Sequence, residues 1–82
     1  MTPSAIGARL IDALGLAADR EAGGATGLVS VTIDVLAQHP DAAIETTLVR
    51  KTRTLVFMSA EARAASGDRV VSASSVHKVL GA

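Results

Sequence analysis

The chain has 82 residues, 49% of them apolar, and its eight basic and eight acidic side chains cancel to zero net charge. That length supports one small domain, residues 1–82, and an oligomer would help it bury enough surface. The balanced charge and single aromatic, Phe57, argue against a nucleic-acid binder, while the absence of cysteine excludes disulfides, thiolate zinc sites and cysteine nucleophiles.

Thr2 to Gly24 reads as one long helix. Thr2 suits the N-cap and Pro3 the first helical position, and Gly23-Gly24 ends the run by allowing a positive φ. Ile6, Leu10, Ala13, Leu14 and Ala17 recur at the spacing of a buried face. Ile11, Leu16 and Ala18 lie off that stripe, so the helix is apolar nearly all round and is expected to be wrapped by other elements. Asp12 interrupts it, and a carboxylate there must be solvated, paired or functional. Three glycines follow in the helix-to-strand joint, but no Lys-Ser/Thr completes a phosphate loop.

From Leu28 to Leu36 the pattern alternates, with Val29, Val31, Ile33 and Val35 on one face and Ser30, Thr32 and Asp34 on the other. Gln38-His39-Pro40-Asp41 breaks this strand. A second strand is expected over about residues 43–50, with Ile44, Thr46 and Leu48 sharing a face. The third covers about 53–64 and sets Val56, Met58, Ala60 and Ala62 against Leu55, Phe57, Ser59 and Glu61. Ala65-Ser66-Gly67-Asp68 is a turn by composition, and a serine-rich fourth strand continues over about 69–80. The sum is α+β: one long helix with about four antiparallel strands curled around it. No apolar run approaches the roughly 20 residues of a bilayer span, and no charged leader precedes an apolar segment, so a cytoplasmic domain is expected.

Several residues have two readings. Asp12 is either a reactive carboxylate or the partner of Arg9 one turn earlier. Ser30 reads as a polar residue on the outer face of an amphipathic strand. Arg50, Lys51 and Arg53 either hold phosphates or solvate a hairpin. His39 and His77 lack metal-site spacing, so no metal is expected, and no Gly-x-Ser-x-Gly elbow supports a serine triad.

Four stretches together resemble the hotdog-fold acyl-CoA thioesterases of the phenylacetate-degradation (PaaI-like) group. Leu10-Ile11-Asp12-Ala13-Leu14-Gly15-Leu16-Ala17 is similar to the family's central helix, with its acid inside an apolar run. Val29-Ser30-Val31-Thr32-Ile33-Asp34-Val35-Leu36 and the later Pro40 resemble the strand after it. Val49-Arg50-Lys51-Thr52-Arg53-Thr54-Leu55-Val56-Phe57 resembles the basic hairpin. Ser66-Gly67-Asp68-Arg69-Val70-Val71-Ser72-Ala73, with the ending His77-Lys78-Val79-Leu80-Gly81, resembles the last hairpin strand.

The resemblance implies a central helix wrapped by a curved sheet, and a homodimer or homotetramer with sites between subunits. It implies hydrolysis of an acyl-CoA thioester without a cofactor. Asp12 would be general base or nucleophile, Ser30 its assistant, and Arg50, Lys51 and Arg53 the CoA-phosphate contacts. The sequence departs from the family in two places. A strand usually precedes the helix, whereas here Met1 begins almost at it. The family's His-Gly-Gly is replaced by Pro3-Ser4-Ala5, where the backbone N–H of Ser4 at the helix N-terminus would serve as oxyanion donor. These departures motivate an alternative: a non-catalytic hotdog remnant acting as an oligomerisation or acyl-ligand-binding module.

Overall fold

A computed structural model of the chain describes residues 3–37 and 42–80, and the side chains of its helix from Gly7 onward. One helix, α1 (Pro3–Ala22), is followed by β1 (Thr26–Val35), β2 (Ala43–Lys51), β3 (Leu55–Arg63) and β4 (Arg69–Val79). The strands form a single antiparallel sheet in the order β1-β4-β3-β2, so β1 and β2 are its edges. The expected α+β, hotdog-like architecture is the one observed. Thr2, the expected N-cap, and the breaker Gln38-His39-Pro40-Asp41 lie outside the described residues.

Leu10, Leu14, Ala17 and Ala18 are the buried face of α1. Spacings of four, seven and eight from Leu10 are those of a helix laid on a sheet. Ala18, expected off the stripe, therefore belongs to it. The sheet receives this face on Val56, Met58, Ala60 and Ala62 of β3 and Val71 and Ala73 of β4. Most of these are small, which lets the helix approach closely and fill the space with leucine in place of aromatic rings. From β1 only Val31 and Ile33 pack against the core.

Each edge strand carries one bulge. Register shifts between Leu28 and Ser30 on β1, and between Leu48 and Arg50 on β2. The extra residues are Val29 and Val49, and such insertions bend a strand and increase its twist. Alternation alone puts Val29 on the core face with Val31 and Ile33; the bulge breaks that alternation and leaves Val29 exposed. The β3–β4 turn places Gly67 at φ 92°, a conformation that side chains with a Cβ rarely adopt, and Gly67 N donates to Ala64 O at 2.8 Å.

The enclosure of α1 is one-sided in the single chain. Leu14 is fully buried, but Leu16 is 62% exposed and Ile11 38%. Leu14→Ala should therefore cost about 2–5 kcal/mol of unfolding free energy, and Leu16→Ala less than about 0.5 kcal/mol in the monomer. Denaturant titration of both variants checks this.

Candidate functional site

The C-terminal end of α1 is closed by a set of hydrogen bonds. Gly23, at φ 73°, allows the chain to reverse, with Gly24 N donating to Asp19 O at 3.2 Å and Gly23 N to Arg20 O at 3.3 Å. These two bonds form a Schellman cap. The next carbonyl, Glu21 O, accepts from Lys51 Nζ at 2.5 Å. A lysine expected to meet phosphate is thus engaged in capping the helix, where its charge also suits the negative end of the helix dipole.

Asp19 has a second role. Its carboxylate accepts from both Thr26 N at 2.8 Å and Thr26 Oγ1 at 2.6 Å, tying the helix end to the first residue of β1. These hydrogen bonds hold its pKa below the ordinary 3.8. Beneath the helix, His77 of β4 is 2% exposed, and its Nε2 shares a 2.7 Å hydrogen bond with the buried hydroxyl of Ser75. Burial pushes the imidazole pKa below 6.5, against the smaller opposing pull of Asp19. Neither Asp19 nor the Ser75–His77 pair stands out in the sequence. Serine and histidine two apart on a strand share a face, but nothing local says that the face is the buried one.

Asp12 lies on the exposed side of α1, on the flank that also leaves Ile11 and Leu16 open, and makes no ion pair among the described residues. Arg9, the partner that helical spacing offers it, instead donates from Nη2 to Ala42 O at 3.3 Å. Ser4 is in the first turn of α1, eight residues before Asp12, which at the helical rise of 1.5 Å per residue is about 12 Å along the axis. Ser30 is opposite Val76, whereas Val31 is opposite the buried Ser75. Ser30 therefore faces away from the helix. Asp12, on the exposed flank of α1, and Ser30, on the outer sheet face, do not meet within one chain.

Ser30 instead borders a depression of about 180 Å³ on the outer sheet face, with Phe57, Val76 and Val49. Arg50 is the register partner of Phe57, and both Arg50 and Arg53 are exposed at the β2–β3 connection. At the other end of that face, Glu61 pairs with Arg63 at 2.7 Å and Arg69 at 3.2 Å. The two guanidinium groups, Arg69 foremost, hold its carboxyl below the usual 4.5. Among the described residues no group of three or more His, Cys, Asp or Glu could hold a metal, and no helix is long and apolar enough to cross a membrane.

No protein-family model matches the chain, and no curated protein does. A solved structure does: a structural-genomics target protein from Chromobacterium violaceum superposes with a TM-score of 0.79 at 16% identity. The match takes in 99% of this chain and 63% of that one, so this chain spans less than two thirds of its length. At that identity the likeness establishes the fold alone.

Two pH windows are expected in stability. A group whose pKa is depressed on folding binds more protons when unfolded, so stability falls as the pH drops. The His77 contribution should be complete above its ordinary 6.5 and be lost as the pH falls through its depressed folded value. That of Asp19 should be complete above 3.8 and be lost below it. Urea midpoints measured from about pH 8 to pH 3 should show both steps; His77→Gln should remove the first, and Asp19→Asn should reduce the second, to which Glu61 also contributes.

Proposed function

We propose that the chain is a subunit of an acyl-CoA thioester hydrolase whose site is shared between copies. The observation that supports this reading is the position of Asp12. It is an acid on the uncovered flank of the central helix, between exposed apolar side chains, in a fold of hotdog type. A second copy packed on that flank would supply what one chain lacks.

In this mechanism the Asp12 carboxylate takes a proton from water as the water oxygen bonds to the thioester carbonyl carbon. The resulting oxyanion accepts a hydrogen bond from a backbone N–H at a helix N-terminus, the role assigned to Ser4. Collapse breaks the carbon–sulfur bond, and Asp12 returns the proton to the departing CoA sulfur. Since Ser4 and Asp12 are about 12 Å apart along one helix, they would act on one carbonyl only if they came from different chains. The same holds for Ser30 as the hydroxyl that orients water, because its own chain turns it to the far sheet face.

The hairpin supports the direction of substrate binding. Lys51 meets Glu21, so the β2–β3 connection lies at the C-terminal end of α1, about 14 Å along the axis from Asp12. A long thioester with its carbonyl at Asp12 would extend its phosphates toward Arg53, whereas Arg50, the register partner of Phe57, is on the far sheet face and would contribute only from another copy. Lys51 would contribute only by giving up its cap.

The separation of Ser4, Asp12 and Ser30 also favours a second reading, an assembly or acyl-ligand-binding module without turnover. A thiol-release assay on acyl-CoA thioesters, run beside titration with a non-hydrolysable analogue, separates them. The hydrolase reading expects release to fall by about 10²–10⁴-fold in Asp12→Asn with unchanged thermal unfolding. Equal release by the variant ends the Asp12 mechanism, and binding without release establishes the module.

A further inference from the structure

The outer face of the sheet is organised in rows. One row runs Ser30, Val76, Phe57, Arg50 across all four strands, and the next runs Thr32, Ser74, Ser59, Thr47, hydroxyls throughout. The row beyond holds Asp34, Ser72, Glu61 and Glu45. A solvated sheet face has no need of an aromatic, yet the chain places its only aromatic there, half-buried, and builds its core without one. Phe57, Val76 and Val49 form an apolar floor in the depression of about 180 Å³, and Ser30, Thr32 and Ser74 stand along it.

The two bulges bear on the same place. Val29 is inserted in β1 on one side of the Phe57 row, and Val49 in β2 on the other, so both edge strands bend where that row crosses the sheet. Bulges recur beside functional sites, where they re-aim a side chain. Val49, freed from the alternation, is one of the side chains that line the depression.

We propose that this depression binds a neutral saccharide ring. Its lining contains no charged side chain, and the acidic row is set back behind the hydroxyls, so nothing in it compensates a ligand charge. Hydroxyls both donate and accept, which matches a ligand whose rim consists of hydroxyls. The apolar floor matches the C–H face of a pyranose. The site is on the opposite sheet face from α1 and Asp12; it uses Ser30, so it is an alternative to the hydrolytic role given to that hydroxyl and is independent of Asp12.

The test is an NMR titration of the full chain with methyl β-D-glucopyranoside, with benzoate and glycerol as comparison ligands. Saturable shifts confined to the Phe57 and Thr32 rows are expected, with a dissociation constant in the range of roughly 1–50 mM for so open a site. Phe57→Ala should weaken binding by at least about tenfold and Thr32→Val by about threefold. Phe57→Leu, which keeps apolar volume, serves if the alanine variant does not fold, and should also weaken binding. Absence of saturation up to about 100 mM, preference for benzoate, equal binding by glycerol, or shifts unchanged in the Phe57 variant overturn the proposal. So does a concentration-dependent self-association that occupies the Phe57 row in the absence of sugar.

Discussion

The fold depends on how the last turn of α1 is fastened to the start of β1. Asp19 is involved three times over: its carbonyl takes the Schellman bond from Gly24, and its carboxylate takes both the amide and the hydroxyl of Thr26. An acid near the C-terminus of a helix opposes the dipole. Two charge-assisted hydrogen bonds offset that repulsion, and Lys51 adds a cation at the same end. The consequence is positional. With the reversal at Gly23 set and Thr26 held, β1 starts in one register beside β4, and Leu10 and Leu14 come down on the alanines of β3 and β4.

Those alanines explain why so small a chain manages without aromatic residues inside. Ala60, Ala62 and Ala73 leave room for leucine side chains to reach the sheet, and Ala17 and Ala18 do the same from the helix. Buried Ser75 and His77 fill the remaining space beneath the helix end, joined by the hydrogen bond between Ser75 Oγ and His77 Nε2. The arrangement is economical but narrow. It covers one side of the helix and leaves Ile11 and Leu16 on the other exposed.

Much of this is legible in residue order. Strand β3 shows why: Val56, Met58, Ala60 and Ala62 alternate with Phe57, Ser59 and Glu61, and period two is a direct image of the pleat. The helix, its glycine stop and the β3–β4 turn at Gly67 are equally legible, because each depends on local backbone preferences. Val29 and Ala18 escape such a reading for a different reason. A bulge is decided by pairing between strands, and the width of a buried helix face by the surface opposite it. The candidate site is less legible still. Asp12 and Ser30 attract notice by residue type, but which side of the sheet Ser30 faces depends on the β1–β4 register, and Lys51 is held by a carbonyl thirty residues away.

The open flank of α1 joins assembly to chemistry. Any surface that covers Ile11 and Leu16 also covers Asp12 between them, and it gains apolar burial at about 25 cal/mol per Å² only while it removes water from a carboxylate. An unpaired buried charge costs several kcal/mol, more than those two side chains return. Such a contact is therefore stable only if it brings a donor or a cation to Asp12, or leaves a cleft through which water or a ligand reaches it. For any partner on this flank Asp12 would act as a filter, disfavouring a purely apolar surface relative to one that admits a polar occupant beside the carboxylate. The physical requirement for assembly on this flank is the same as the requirement for a site.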